Sequence, residues 1–336
     1  MQLTPESEHL GSWSAWFETE RPLRLGVSSC LLGEEVRYDG GHKRDDFVAD
    51  TLGGFVEYVR VCPEVELGMG IPRPSIRLVQ DEAGSTRLLD EKNDVDWTER
   101  MQEYARAKCA ELAALDLDGY VLKKASPSCG LLRMRVFRSN GHAAHRDGQG
   151  LFARELVRSL PELPVEEDGR LNDPRLRETF VERVFTRARW RRLLADEPGP
   201  RDLVAFHTAH KLLLLAHDEA TYRRMGRVVA VAGDEPFDDV LERYGALLHG
   251  ALARPSSTRR HINVLQHVLG HFKEHLAAGE KRALLDAIDE FARGHVPLAV
   301  PVALLHFQVE RCDVAWLRRQ LYFDPYPKDF LVRSKL

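Results

Sequence analysis

Three short apolar runs in this chain each lead to a cysteine. Leu25-Gly26-Val27-Ser28-Ser29 runs into Cys30, and Phe55 through Val61 into Cys62. Gly119-Tyr120-Val121-Leu122 runs toward Ser126-Pro127-Ser128-Cys129-Gly130. Runs of this length and apolar character, closed by Gly, Pro or Ser, read as buried strands. Cys30, Cys62 and Cys129 then share one address, just past the carboxyl end of a strand. In an open α/β sheet, ligands and chemistry gather outside those ends. Three thiols far apart in sequence are therefore expected to converge on one point.

The segments between the runs fit such a sheet. Asp46 to Leu52 suggests a short helix, and Ile76–Gln80 with Thr86–Leu89 a hairpin across a Gly-containing turn. Asp94 to Leu115 reads as a helix carrying Cys109, a small buried hydrophobe without a role. Met134–Arg138 reads as a further strand. The order predicts an α/β domain over residues 1–160, Rossmann-like with a mainly parallel sheet. Two loops stand out. Gly33 to Lys43 is glycine-rich and offers Arg37, Tyr38, Asp39 and Lys43 as polar groups for a ligand. Gly68 to Pro74 is rigid and irregular. Near the start, Trp13, Trp16 and Phe17 are expected to pack on a surface without chemistry.

Pro161, Pro164, Gly169 and Pro174 punctuate a polar stretch, so a linker is expected over 161–175. Beyond it, residues 176–336 carry helical patterns only. Phe180, Val184 and Ala188 share a face, with Val181 and Phe185 beside them. Similar patterns cover Leu203–Ala216, Thr221–Ala232, Phe237–Leu252, Arg259–Ala278, Glu280–Arg293 and Val302–Leu321, which predicts an all-α domain. In its first helix Arg183, Arg187 and Arg191 recur at i, i+4. Such a stripe suits RNA phosphates, although a solvated helix face is the commoner explanation. His267, His271 and His275 also share a face, but without an H-E-x-x-H motif they read as polar surface.

Composition narrows the chemistry. With 43% hydrophobic and 30% charged residues the chain is that of a soluble globular protein. No apolar run approaches the roughly 20 residues of a membrane span. No basic stretch followed by an apolar core opens the chain, so the cytoplasm is expected. Residues 1–150 carry 19 basic against 25 acidic side chains, and the whole chain is at −4. Net charge therefore gives no drive toward nucleic acid; only a local patch can. Five cysteines without a C-x-x-C pair make neither a disulfide framework nor a zinc ribbon or ferredoxin signature. Three thiolates can hold a [4Fe-4S] cluster with one iron open, or a zinc ion with bound water. Spacing alone leaves both open, together with three unrelated core cysteines.

Several motifs, in order, resemble those of the thiouracil desulfidase (TudS-type) family over roughly residues 22–160. They are Ser29-Cys30-Leu31-Leu32-Gly33, Val36-Arg37-Tyr38-Asp39-Gly40, Cys62-Pro63-Glu64 and Ser126-Pro127-Ser128-Cys129-Gly130. The later half is similar to the YbgA-type helical domain. Its marks are Phe206-His207-Thr208-Ala209-His210-Lys211, Asn263-Val264-Leu265-Gln266-His267, Pro297-Leu298-Ala299-Val300-Pro301 and Gln320 through Pro327. Together the halves resemble fused desulfidases acting on 4-thiouridine in nucleotides or tRNA. The resemblance implies a [4Fe-4S] cluster on Cys30, Cys62 and Cys129, a catalytic carboxylate at Glu64, and a catalytic serine. Ser126 is preferred for the last, with Ser128 as the alternative. His207, His210 and Lys211 fall in the helical-domain motif, where packing, capping or phosphate contact would suit them. The expected partner is a thiolated uracil nucleotide or tRNA, with no membrane and no obligate protein partner. A non-catalytic RNA-binding or iron–sulfur-sensing module, and a zinc-dependent hydrolase, are the competing readings.

Overall fold

The computed structural model describes residues 22–91, 95–138 and 140–328. The aromatic cluster Trp13, Trp16 and Phe17 lies outside the described residues. The chain divides into two compact units, with the boundary between Asn172 and Asp173.

Among its described residues the first unit holds eight strands: β1 (Leu23–Ser28), β2 (Val56–Val61), β3 (Ile76–Gln80), β4 (Thr86–Asp90), β5 (Gly119–Leu122), β6 (Met134–Arg138), β7 (Ala143–Gly148) and β8 (Val165–Glu167). Its helices are α1 (Pro63–Glu66), α2 (Thr98–Ala113) and α3 (Leu151–Ser159). Strands in the order β2-β1-β5-β8 form an entirely parallel sheet. The second sheet, β4-β3-β6-β7, joins two antiparallel hairpins through a parallel β3–β6 pair. The expected parallel sheet is thus accompanied by a mixed one.

The parallel ladder fixes where the cysteine loops begin. Ser28 pairs with Val61, and Val27 with Val121, so β1, β2 and β5 end at nearly one level. Gly26 permits this pairing, because a Cβ there would stand 2.1 Å from the Tyr120 ring. Leu78, Leu88 and Val136 of the mixed sheet share one core with Met101, Ala105 and Leu112 of α2, Phe152 and Leu156 of α3, and Tyr120 and Leu122. Cys109 is buried in that core, as its helical position implied.

Four elements were not foreseen: α1, β7, α3 and β8. The last lies inside the stretch expected as a linker. Val165, Glu166 and Glu167 pair with Tyr120, Val121 and Leu122, so the proline-rich approach ends in an edge strand. Glu167 is buried because its carboxylate accepts from the Leu131 and Leu132 amides. A polar-looking edge strand is therefore a buried one.

The described residues of the second unit form helices only: α4 (Pro174–Ala195), α5 (Pro200–Ala209), α6 (Lys211–His217), α7 (Glu219–Ala230), α8 (Phe237–Leu252), α9 (Thr258–Gly270), α10 (Ala278–Ala292), α11 (Ala299–Arg311) and α12 (Ala315–Arg318). Asp173 caps α4 by accepting from the Arg175 and Leu176 amides, with Pro174 at the first helical position. The single helix expected over 203–216 is broken at His210. Gln320 fills the break, donating to the Thr208 carbonyl and accepting from the Leu212 amide. The last expected helix stops at Arg311, and Asp313 follows with a left-handed φ of 52°.

Candidate functional site

A cavity of about 610 Å³ opens where the three strand ends meet. It is within the roughly 300–1,000 Å³ usual for small-molecule sites. Cys30, Cys62 and Cys129 all line it. Cys30 sits in the helical turn Ser29–Leu32 after β1, where its carbonyl accepts from the Lys43 amide at 2.9 Å. Cys62 precedes α1, and its amide donates to Glu66 Oε1 at 3.0 Å. Cys129 lies in the tight loop after β5, its amide donating to Ser126 Oγ at 3.1 Å. The other two cysteines are elsewhere: Cys109 in the core and Cys312 in the helical unit.

Burial is the largest influence on all three cavity thiols, and it raises each of them. Cys30 is pushed up to about 11, with the Lys123 charge working against the shift and Cys62 adding to it. Cys129 rises further, with Glu64 next in effect and the Ser28 hydroxyl opposing. The thiols feel one another's charge, as groups on one small cavity must. Among the described residues no three His, Cys, Asp or Glu side chains gather as tightly as one metal ion requires.

Glu64 is on α1, two residues from Cys62, and lines the cavity. Arg73 grips its Oε2 through Nε and Nη2, while Arg73 Nη1 donates to the Gly70 carbonyl and Nη2 to that of Val36. The other carboxylate oxygen, Oε1, accepts from Ser126 at 3.3 Å and closely from Ser128. Ser126 lines the cavity, whereas Ser128 is fully buried behind it. The two motif serines thus hold different positions: one faces the space, the other supports the carboxylate.

Of the loop residues expected to meet a ligand, Arg37 and Tyr38 line the cavity, Tyr38 at 44% exposure. Asp39 and Lys43 are exposed and are not among its lining residues. Asp39 instead shapes the loop, accepting from the Gly41 amide and pairing with Arg37. Sequence reasoning missed most of the wall: Arg73, Arg77, Lys123, Lys124, Arg133 and Arg135. Against them the lining carries only Glu64 and Glu91. Lys123 is buried against Asp168, a residue of the supposed linker. The prolines flanking Arg73 were a usable signal of a held side chain; nothing comparable marked the others.

In the helical unit, Arg183, Arg187 and Arg191 are half-buried and do not form an open stripe. Nearly every turn of α4 is buried, and Arg187 and Arg183 act on buried His249 of α8. His207 bonds Tyr244 and stacks on Tyr222, and His210 is wholly buried on Phe206, so both serve packing. Lys211 lies over Trp316, which His267 and His271 flank. His275 falls beyond the end of α9.

The profile of the 2-thiouracil desulfurase family matches residues 25–168. That of a protein of unknown function, DUF1722, matches residues 211–327. The chain is similar to the uncharacterized protein YbgA of Escherichia coli (strain K12), 31% identical over 159 residues, 47% of this chain and 94% of YbgA. It is also similar to the uncharacterized protein YbbK of Bacillus subtilis (strain 168), 31% identical over 108 residues, 31% of this chain and 71% of YbbK. Among solved structures, the [4Fe-4S]-dependent thiouracil desulfidase TudS is 28% identical, with 45% of this chain and 94% of TudS covered and a TM-score of 0.36. The chain belongs to the family of YbgA, and joins in one polypeptide a domain matching the 2-thiouracil desulfurase profile to a DUF1722 domain of the YbgA type.

Proposed function

We propose that the first unit is a hydrolytic desulfidase that removes sulfur from thiolated uracil compounds, 4-thiouridine in a nucleotide or tRNA, using a [4Fe-4S] cluster on Cys30, Cys62 and Cys129. One observation carries this reading: three thiols, Glu64 and Ser126 face one cavity although they come from three strand ends. The donor set fits the cluster. Thiolates are the soft ligands that iron–sulfur centres take. They surround a space rather than a point, whereas a zinc ion would draw each sulfur to about 2.3 Å. Bound there with three ligands, the cluster would supply one open iron as a soft Lewis acid for the thiocarbonyl sulfur.

The remaining work falls to the chain itself. Arg73 fixes Glu64 by Oε2 and leaves Oε1 toward the serines and the cavity. That oxygen is placed to take a proton from the water attacking C4 and to return one to the ring. Water supplies oxygen to carbon, the carbon–sulfur bond breaks, and sulfur leaves as sulfide; no electrons are transferred. Ser126 already accepts from the Ser128 and Cys129 amides, so its own proton is free for Ser128 Oγ, for Glu64 or, with substrate bound, for the ring. Arg77, Lys124, Arg133 and Arg135 supply positive charge for a phosphate. This favours a nucleotide or tRNA over a free base.

Anaerobically reconstituted protein should hold about four irons per chain. It should convert 4-thiouridine monophosphate to uridine monophosphate with loss of the thiocarbonyl absorbance and release of sulfide. Its KM for that nucleotide should be lower than for 2-thiouracil. Zinc in place of iron, or binding of the thiolated compounds without sulfide release, would exclude this function.

A further inference from the structure

Of the three cavity thiols, Cys62 is the one that packing leaves open: Cys30 and Cys129 are buried, Cys62 only half-buried. It caps the start of α1, and a helix of four residues cannot hold its own shape. A side chain that no step above uses holds it instead. Glu66 Oε1 accepts from the Cys62 amide at 3.0 Å, and the Glu66 amide donates to the Cys62 carbonyl at 2.9 Å. Both backbone polar groups of Cys62 therefore bond to one residue. The sulfur itself makes a long contact to the Val36 carbonyl, at 3.8 Å. The other carboxylate oxygen of Glu66, Oε2, reaches α2: Tyr104 Oη donates to it at 2.9 Å, and Lys108 Nζ stands 2.9 Å from it. Tyr104 is seated on Phe152 of α3, ring centroids 6.3 Å apart, against the core. Lys108 is steadied on its far side by Glu111, at 2.7 Å.

We propose that Glu66 is a positioning residue that braces α1 against α2, so that Cys62 presents its sulfur, and Glu64 its carboxylate, at fixed places on the cavity wall. The proposal rests on the function given above. Glu64 and Glu66 stand on the same short helix with opposite commitments, Glu64 to Arg73 and the serines, Glu66 to α2. Arg73 restrains the Glu64 side by its bonds to the Gly70 and Val36 carbonyls, and Glu66 restrains the Cys62 end. Stability explains this arrangement poorly. The Lys108 and Glu66 side chains are 21% and 32% exposed, and ion pairs that water reaches contribute little. Groups that orient a metal ligand act on retention of the metal instead, commonly by about 10–100-fold.

The test compares wild type, E66A, E66Q, the double variant Y104F/K108M and the core change L156V, all as full-length protein. L156V lowers stability by trimming the same core without touching the brace. In iron-free protein, iodoacetamide labels Cys30, Cys62 and Cys129, and peptide masses give each rate. In anaerobically reconstituted protein, the readouts are iron per chain and the half-life of the cluster in excess chelator; melting temperatures accompany both. E66A should let Cys62 alkylate faster while Cys30 and Cys129 keep their wild-type rates, and it should lose its cluster about tenfold faster. E66Q keeps an oxygen for the Cys62 amide and should restore both readouts. Y104F/K108M keeps Glu66 but cuts it from α2, and should move both toward E66A. L156V should lower the melting temperature and leave both unchanged. Wild-type alkylation or half-life in E66A, or the same losses in L156V, overturns the brace while leaving the cluster reading in place. Wild-type protein that takes up no iron overturns the cluster reading, and the alkylation rates then decide the brace by themselves.

Discussion

Arg73 holds Glu64 by a single oxygen. Nε reaches Oε2 at 3.1 Å, Nη2 meets the same atom, and the two remaining guanidinium contacts go to the backbone at Gly70 and Val36. The arginine side chain is 3% exposed and the carboxylate 14%. Removing one partner of such a pair strands a charge and costs about 3–5 kcal/mol. Arg73→Met should lower unfolding stability by an amount in that range, measured by denaturant titration. Arg73→Met combined with Glu64→Gln should recover most of the stability and none of the desulfidase activity. Equal stability losses in the single and double variants would refute the pairing as the main effect.

The two serines should separate kinetically. Ser126 faces the cavity and Ser128 sits behind Glu64. Ser126→Ala should lower kcat by about 10²-fold, the lower range for a positioned proton-handling group. Ser128→Ala removes a buried support of Oε1, so it should also lower the melting temperature. Steady-state kinetics beside thermal melts distinguishes the two; an inactive but fully stable Ser128→Ala protein would reverse the assignment.

Gly150 should tolerate no side chain. A Cβ there would stand 2.4 Å from the Ser128 carbonyl oxygen and 2.9 Å from the Gly130 amide. Those are backbone atoms of the Cys129 loop, which cannot swing aside as a flexible side chain could. Gly150→Ala should cost about 1–3 kcal/mol by overpacking, and it should lower iron content after reconstitution by displacing the loop. Wild-type iron and stability in this variant would show that the loop yields.

The helical unit should weaken in acid. Burial, with Lys211 assisting, holds His207 down at about 4, and burial, with Arg187 and Arg183 assisting, holds His249 down at about 3. Both values lie below the 6.5 of a free imidazole. The stability they represent is complete above pH 6.5 and is lost as pH falls toward 4 and then 3. Denaturant midpoints at pH 7 and pH 4 should differ less in His249→Leu than in wild type. An equal pH dependence in both would remove His249 from the acid response.

What the sequence disclosed follows from which forces act locally. The strand ends at Cys30, Cys62 and Cys129 were legible because apolar runs and their Pro or Gly terminators lie side by side in the chain. Three of the four strands of the second sheet were legible, Ile76–Gln80, Thr86–Leu89 and Met134–Arg138, but Ala143–Gly148 is mostly polar and partly exposed, so no periodicity betrays it. Val165-Glu166-Glu167 was hidden for the opposite reason. Its glutamates are buried by partners at Leu131, Leu132 and Arg170, which no local pattern reveals. Losing that strand to a supposed linker also hid Asp168, and with it the partner of Lys123. The arginines of α4 looked like an open stripe because their spacing is helical, whereas all three are half-buried and Arg187 and Arg183 act on buried His249 of α8.

The level ending of β1, β2 and β5 makes the sulfur pocket a late product of synthesis. Its contributors lie 32 and 67 positions apart along the chain, so no short peptide cut from this protein can reproduce it. A ribosome has made only two of the thiols by residue 128, and β5 must slot in beside β1 before the third swings into place. Under the proposed function, a cluster that needs all three sulfurs can be completed only after β5 has paired with β1.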